Sequence, residues 1–295
     1  MTGRNSLEPF GIRLEAAVAL HGPVCVGIDP HPQLLEAWDL PVTVQGLRLF
    51  AEVAVEAFGG AVALVKPQSA FFERFGAAGV EVLEDVLAGL REMETLSLLD
   101  VKRGDIGSTM LAYAQAYLDE SSSLRADAIT VSPFLGFGSL APAFDIARRN
   151  GRGVFVLAMT SNPEGATVQH ATWDGDTVSG AIIEAVSDAN CLTPAGGYGD
   201  VGMVVGATVG KDIAELGVTE RLAQTRAPLL APGLGAQGAT VEDIAGGFGP
   251  ASHLVLPATS RAVLAAGPDP VALRSALREV QHEAATLRPG SYGGE

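Results

Sequence analysis

The chain has 295 residues, 47% hydrophobic and 18% charged, enough apolar content to bury one barrel-sized core or two smaller ones. With 34 acidic against 19 basic residues, the net charge of −15 argues against a nucleic-acid or anionic-membrane surface. An anionic small molecule would need a local positive pocket. Cys25 and Cys191 lack the spacing of a zinc site or a disulfide framework, so a reducing cytoplasm is the expected setting. Charges and a proline interrupt residues 1–20, unlike a signal peptide, and no segment reaches the roughly 20 apolar residues of a membrane span.

The spacing of Leu7, Phe10, Leu14 and Val18 predicts a helix over 6–20, followed by a first strand over 24–28. Asp29, Pro30, His31 and Pro32 come next, and the two prolines are expected to stop regular structure, leaving Asp29 on a loop at a strand end. A helix over 46–58 ends at Gly59 and Gly60, and a second strand over 61–65 closes in Lys66 and Pro67. A helix within 79–93 precedes the third strand, 96–102. Then come helix 109–118, strand 128–131, helix 140–150, and strand 154–159 running into Thr160, Ser161, Asn162 and Pro163. Helix 180–190, strand 201–205, helix 213–225, strand 228–231, helix 241–245, strand 253–256 and helix 270–287 complete the pattern. Loops 162–177 and 192–200 are long and glycine-rich, either lids or plain surface.

Eight near-continuous apolar strands alternating with helices predict an α/β fold, a (β/α)8 TIM barrel, because strands buried on both faces show no polar alternation. Residues 1–295 read as one domain, with an extra N-terminal helix in about 1–22 closing the barrel bottom and a frayed tail at 289–295.

Active sites of such barrels lie at the C-terminal ends of the strands. Those ends carry Asp29, Lys66, Asp100 with Lys102 and Asp105, Ser161, a glycine-rich stretch, and Arg261. Side chains alternate along a strand, so Asp100 and Lys102 share a face. A carboxylate and an ammonium held together in a nearly dry barrel mouth cost several kcal/mol to desolvate and contribute little as stability alone. A solvated strand end with surface ion pairs is the plainer alternative.

The run Gly233 to Gly238 fits the G-x-G-x-x-G dinucleotide fingerprint, yet 254–260 holds no acid to meet a ribose. A phosphate held by backbone N–H groups, Gln237 and the Arg261 guanidinium suits the loops after strands seven and eight, although Arg261 capping a helix is also open. Asp29 and His31 are spaced as metal ligands can be, but the five histidines form no ligand pair, so no metal is expected. Ser108, Ser161 and Ser179 lack the glycine-flanked elbow of a serine hydrolase, and Phe71, Phe72 and Phe75 read as core or interface filling.

Asp100-Val-Lys-Arg-Gly-Asp-Ile106 with Thr109 resembles the D-x-K-x-x-D-I-x-x-T signature of orotidine 5′-phosphate decarboxylases. Val26 to His31, Val65 to Glu73 and Pro232 to Gly238 resemble motifs of that family's longer bacterial branch, and the likeness runs from about Phe10 to Arg288. It implies decarboxylation of orotidine 5′-monophosphate to uridine 5′-monophosphate, with no cofactor. The same resemblance implies that Lys66, Asp100, Lys102 and Asp105 form an alternating charged network and that Asp29 binds the ribose. Ser161 would bond the pyrimidine, and Gln237 and Arg261 the phosphate. In the family the last aspartate comes from the partner of a homodimer, which would bring Asp105 and Thr109 across the interface. A related barrel, the magnesium-dependent hexulose-phosphate synthase, carries a glutamate where this chain has Lys66. That aldolase, a Schiff-base aldolase and a non-catalytic nucleotide-binding barrel are the alternatives.

Overall fold

The computed structural model describes residues 8–193, 197–235 and 238–288. Eight parallel strands close into a barrel: β1 (Cys25–Ile28), β2 (Leu64–Pro67), β3 (Leu96–Arg103), β4 (Ala128–Val131), β5 (Gly153–Met159), β6 (Val201–Val205), β7 (Leu229–Pro232) and β8 (Val255–Thr259). β8 returns to pair with β1, so the barrel itself has no open strand edge. β1, β4 and β6 are buried at every position, as strands covered inside by neighbouring side chains and outside by helices must be.

The end of the barrel where the strands begin is filled by aromatics. Phe10 and Phe155 meet edge to face, their centroids 6.0 Å apart. A Cβ on Gly153 would stand 2.4 Å from the Phe10 ring, and one on Gly202 2.6 Å from that of Phe155, so the absent side chains make the space the rings occupy. The first helix, Phe10–His21, is tied across this end: the Gly11 N–H donates to Asp200 (2.8 Å), and Arg13 donates to Asp127 and to the Gly151 carbonyl (both 2.7 Å).

Several elements differ from the sequence expectation for local reasons. Pro32 does not keep its stretch irregular but opens a helix, Pro32–Ala37, because the first helical position needs no N–H and suits the fixed φ of proline. The expected helix 213–225 is two, Gly210–Glu215 and Thr219–Gln224, separated at Gly217, whose φ of +65° no continuing helix adopts. The last strand begins after His253, which lies in a 3-10 turn, and reaches Thr259. A short helix, Ser69–Glu73, follows β2. Within the loop after β5, a helical turn (Ala166–Gln169) and a hairpin (Thr172–Trp173 with Asp176–Thr177) replace plain coil. Asp174 and Gly175, both at positive φ, make the hairpin's turn. Among the described residues no helix is long and apolar enough to cross a membrane. The tail 289–295 lies outside the described residues.

Candidate active site

At the C-terminal ends of the strands lies a cavity of about 510 Å³, and Asp29, Lys66, Asp100, Lys102, Ser161 and Arg261 all line it. A larger hollow, about 820 Å³, lies against the last helix at Arg274, Arg278 and His282, but no strand end reaches it, so size alone does not mark the site.

The floor of the cavity is built on β3, which is not a regular strand at this point. Leu98 and Leu99 pair with Ala128 and Ile129, yet the next partner of β4, Val131, faces Arg103. The extra length of β3 bulges out over 100–102, with Lys102 at φ +44°. A lysine in the left-handed region costs about 1–3 kcal/mol, strain of the kind that collects at functional sites. Displaced from the ladder, the Lys102 N–H donates to Thr130 Oγ1 (3.0 Å), and that hydroxyl donates to Asp100 Oδ1 (2.7 Å). Asp100 and Lys102 therefore come together through the bulge and Thr130, not through strand alternation alone.

Asp100 is the hub. Lys102 Nζ approaches its Oδ1 at 2.5 Å and Lys66 Nζ its Oδ2 at 3.1 Å. Lys66 also lies 3.9 Å from Asp29 Oδ1. The Lys66 and Asp100 side chains are only 8% and 7% exposed, whereas Lys102 is 45% exposed and projects into the mouth. Burial would push the Asp100 carboxyl up, but Lys66, Lys102 and the hydrogen bonds from Lys102 and Thr130 outweigh it and hold the group well below the usual carboxylate range. Burial likewise opposes the charge on Lys66, and Asp100 and Asp29 overcome it, holding the ammonium above its ordinary value. Beneath them, burial pushes the Cys25 thiol up to about 12, against the opposing pull of Lys66, which leaves it inert.

The rest of the rim is polar and partly unsatisfied. Asp29 Oδ1, Thr259 Oγ1 and Ser260 Oγ are buried without a hydrogen-bond partner, and Asp29, Thr259 and Ser260 all line the cavity. Buried oxygens are normally paired, so three of them on one rim mark a surface fitted to a polar ligand. Arg261 opens the short helix after β8 and brings a guanidinium to the same rim. His31 lines it too, its ring 4.1 Å from that of Phe71. Burial pushes the imidazole below its ordinary value, with Asp29 pulling it up and Arg261 pushing it down.

Residues 22–276 match the family described as orotidine 5′-phosphate decarboxylase / HUMPS. The chain belongs to this family. It is 56% identical over 286 residues to an orotidine 5′-phosphate decarboxylase of Salinispora tropica, covering 97% of this chain and all of that one. The Salinispora arenicola enzyme of the same name is 57% identical over the same shares. In the solved structures, a Streptomyces avermitilis protein assigned as an orotidine 5′-phosphate decarboxylase is similar at TM-score 0.90 and 49% identity, over 97% of this chain and 99% of that one. The Leishmania donovani OMP decarboxylase is similar at TM-score 0.72 and 29% identity, over 95% and 99%.

Within this family fold, two expected site residues stand apart from the cavity. Asp105 lies on the loop beyond β3, where its carboxylate accepts from the Ile106 N–H (2.8 Å), and Thr109 is on an exposed face of the helix Gly107–Leu118. Neither lines the cavity of its own chain. Gln237 lies outside the described residues. Conversely, sequence reasoning missed Thr130, Thr160, Asn162, Thr259 and Ser260 as cavity residues. The available signal was a hydroxyl inside an otherwise apolar strand, such as Thr130 in Ala-Ile-Thr-Val, buried to 1% exposure.

Proposed function

We propose that this chain decarboxylates orotidine 5′-monophosphate to uridine 5′-monophosphate and carbon dioxide without a metal. The observation that carries the reading is Asp100 clamped between a buried Lys66 and a half-exposed Lys102 at the cavity floor. Breaking the bond from C6 to the carboxylate releases carbon dioxide and leaves the electron pair on C6, in the ring plane, where no carbonyl delocalises it. Stabilisation must then come from a fixed positive charge near C6, and a preorganised ammonium supplies it. In this mechanism Lys102 holds that charge and then transfers its proton to C6. Its exposure allows the amine to regain a proton from solvent. Asp100 keeps both ammonium groups charged and aimed, and Lys66 links it to Asp29, whose Oδ1 has an ion-pair neighbour but no hydrogen-bond partner and suits a ribose hydroxyl.

Arg261, with Gln237, takes the phosphate, far from the reacting carbon, where its binding energy can be used to exclude water. Ser161 takes the pyrimidine. Two copies of the chain complete each site, with Asp105 and Thr109 crossing from the partner. Their position on the same rim but outside their own cavity supports this arrangement. Residues 1–295 act as one catalytic unit in the cytoplasm, with the helix Phe10–His21 closing the end remote from the site. Lys66 disfavours the magnesium aldolase, since a protonated lysine is no metal ligand. Ultraviolet absorbance of purified protein with orotidine 5′-monophosphate and EDTA tests the reading. Conversion is expected; a folded protein that leaves the substrate intact, or converts it only with added magnesium, refutes it.

A further inference from the structure

The segment after β5 was expected to be a lid or plain surface. We infer that, within it, Gln169 acts as a positioning residue for the pyrimidine end of the site. The inference rests on the reading of the cavity as a pyrimidine-nucleotide site.

Thr160, Ser161 and Asn162 line the cavity in succession at the end of β5. The Gln169 carboxamide reaches back over them: its Oε1 accepts from the Thr160 N–H (2.9 Å), and its Nε2 donates to Thr160 Oγ1 (2.7 Å). The Thr160 hydroxyl donates onward to Asn162 Oδ1 (2.7 Å), and Asn162 Nδ2 donates to Glu164 (3.1 Å). Side-chain hydrogen bonds thus hold the residues on both sides of Ser161. Because Gln169 satisfies both the amide and the hydroxyl of Thr160, it sets the backbone and the rotamer together. Only glycine at 165 permits this approach, since a Cβ there would stand 2.7 Å from Thr160 Oγ1 and 3.0 Å from Gln169 Nε2.

Gln169 is itself anchored. The Val178 N–H donates to the Ala171 carbonyl (2.9 Å) across the hairpin base. Arg221, on the helix Thr219–Gln224 beyond β6, makes two bonds to Asp176 (3.2 and 2.9 Å). Ser179 Oγ returns to the β5 carbonyl of Ala158 (3.0 Å). The segment is tied to the barrel before, within and after the hairpin, and these ties hold Gln169 against Thr160.

Recognition of a base depends on oriented hydrogen bonds, and a displacement of about 1 Å can cost on the order of a hundredfold in rate. The test measures binding of UMP and of ribose 5-phosphate, with steady-state kinetics on orotidine 5′-monophosphate, for wild type, Gln169→Leu and Gly165→Ala. In both variants UMP affinity and kcat/KM should fall about tenfold, the worth of a lost polar contact. Ribose 5-phosphate should bind as in wild type, because Asp29 and Arg261 belong to other strands. Gln169→Glu keeps an acceptor for the Thr160 N–H and should recover part of the loss. Unchanged UMP binding, or equal losses for both ligands, overturns the inference. Wild-type protein that does not prefer UMP to ribose 5-phosphate overturns the nucleotide reading and this inference with it.

Discussion

Replacing Lys102 with alanine separates chemistry from stability more cleanly than any other change at the site. Asp100 would keep Lys66 at 3.1 Å and the Thr130 hydroxyl at 2.7 Å, so its buried carboxylate is not orphaned. The lost contact belongs to a side chain already 45% exposed, where solvent screens the pair, so the stability cost should be about 1 kcal/mol. In a chain of this length that is a fall of about 2 °C in Tm. Catalysis should suffer far more. Removing a preorganised electrostatic stabiliser costs about 10²–10³ and removing a general acid about 10²–10⁴, so the combined loss is on the order of 10⁵. Ultraviolet loss of orotidine 5′-monophosphate gives the rate, and differential scanning fluorimetry confirms the fold. A variant with near-native Tm that retains about a hundredth of the wild-type rate would refute the assignment of Lys102.

The partner lysine should behave in the opposite way. Lys66→Met breaks a buried pair at 3.1 Å and should cost about 3–5 kcal/mol, read as a large fall in Tm next to that of Lys102→Ala; equal shifts would contradict the hub geometry. The Asp100 carboxyl is held below its ordinary range, so its contribution is present above the unfolded value of about 3.9 and is lost as pH falls through that value towards the folded one. Asp100→Asn should therefore flatten the fall of Tm below about pH 4; an unchanged slope would show that other acids set it. Arg261→Ala should weaken UMP binding by about ten- to a hundredfold while leaving uridine binding unaltered, and an equal effect on both would remove the guanidinium from the phosphate. Mixing Lys102→Ala with Asp105→Ala protein should restore about a quarter of wild-type activity, since half of the random dimers carry one intact site; no recovery after subunit exchange would place Asp105 outside its partner's cavity.

The barrel was legible because each strand announces itself locally. Ala128–Val131 and Val201–Val205 are short apolar runs between helical patterns, and both form at the expected bounds. The charged residues of the floor were legible for a related reason: Lys66, Asp100 and Lys102 interrupt apolar strands, and charge buried as at Lys66 and Asp100 is too costly to be incidental. Pro32 was misread because the same ring ends one helix and opens another, and only the path of the neighbouring chain decides between them.

What the amino-acid order determined by itself was the solvation pattern: which segments must be buried, how they alternate, and where charge intrudes. The tertiary structure alone decided the contacts that make the site. Thr130 is an ordinary strand former until the bulge of β3 delivers the Lys102 N–H and the Asp100 carboxylate to its hydroxyl. Gln169 is an unremarked loop residue until the hairpin folds it back onto Thr160. Burial is a property each residue carries along the chain, whereas a hydrogen bond depends on a few tenths of an ångström between atoms on different strands and loops, which only the closed barrel supplies.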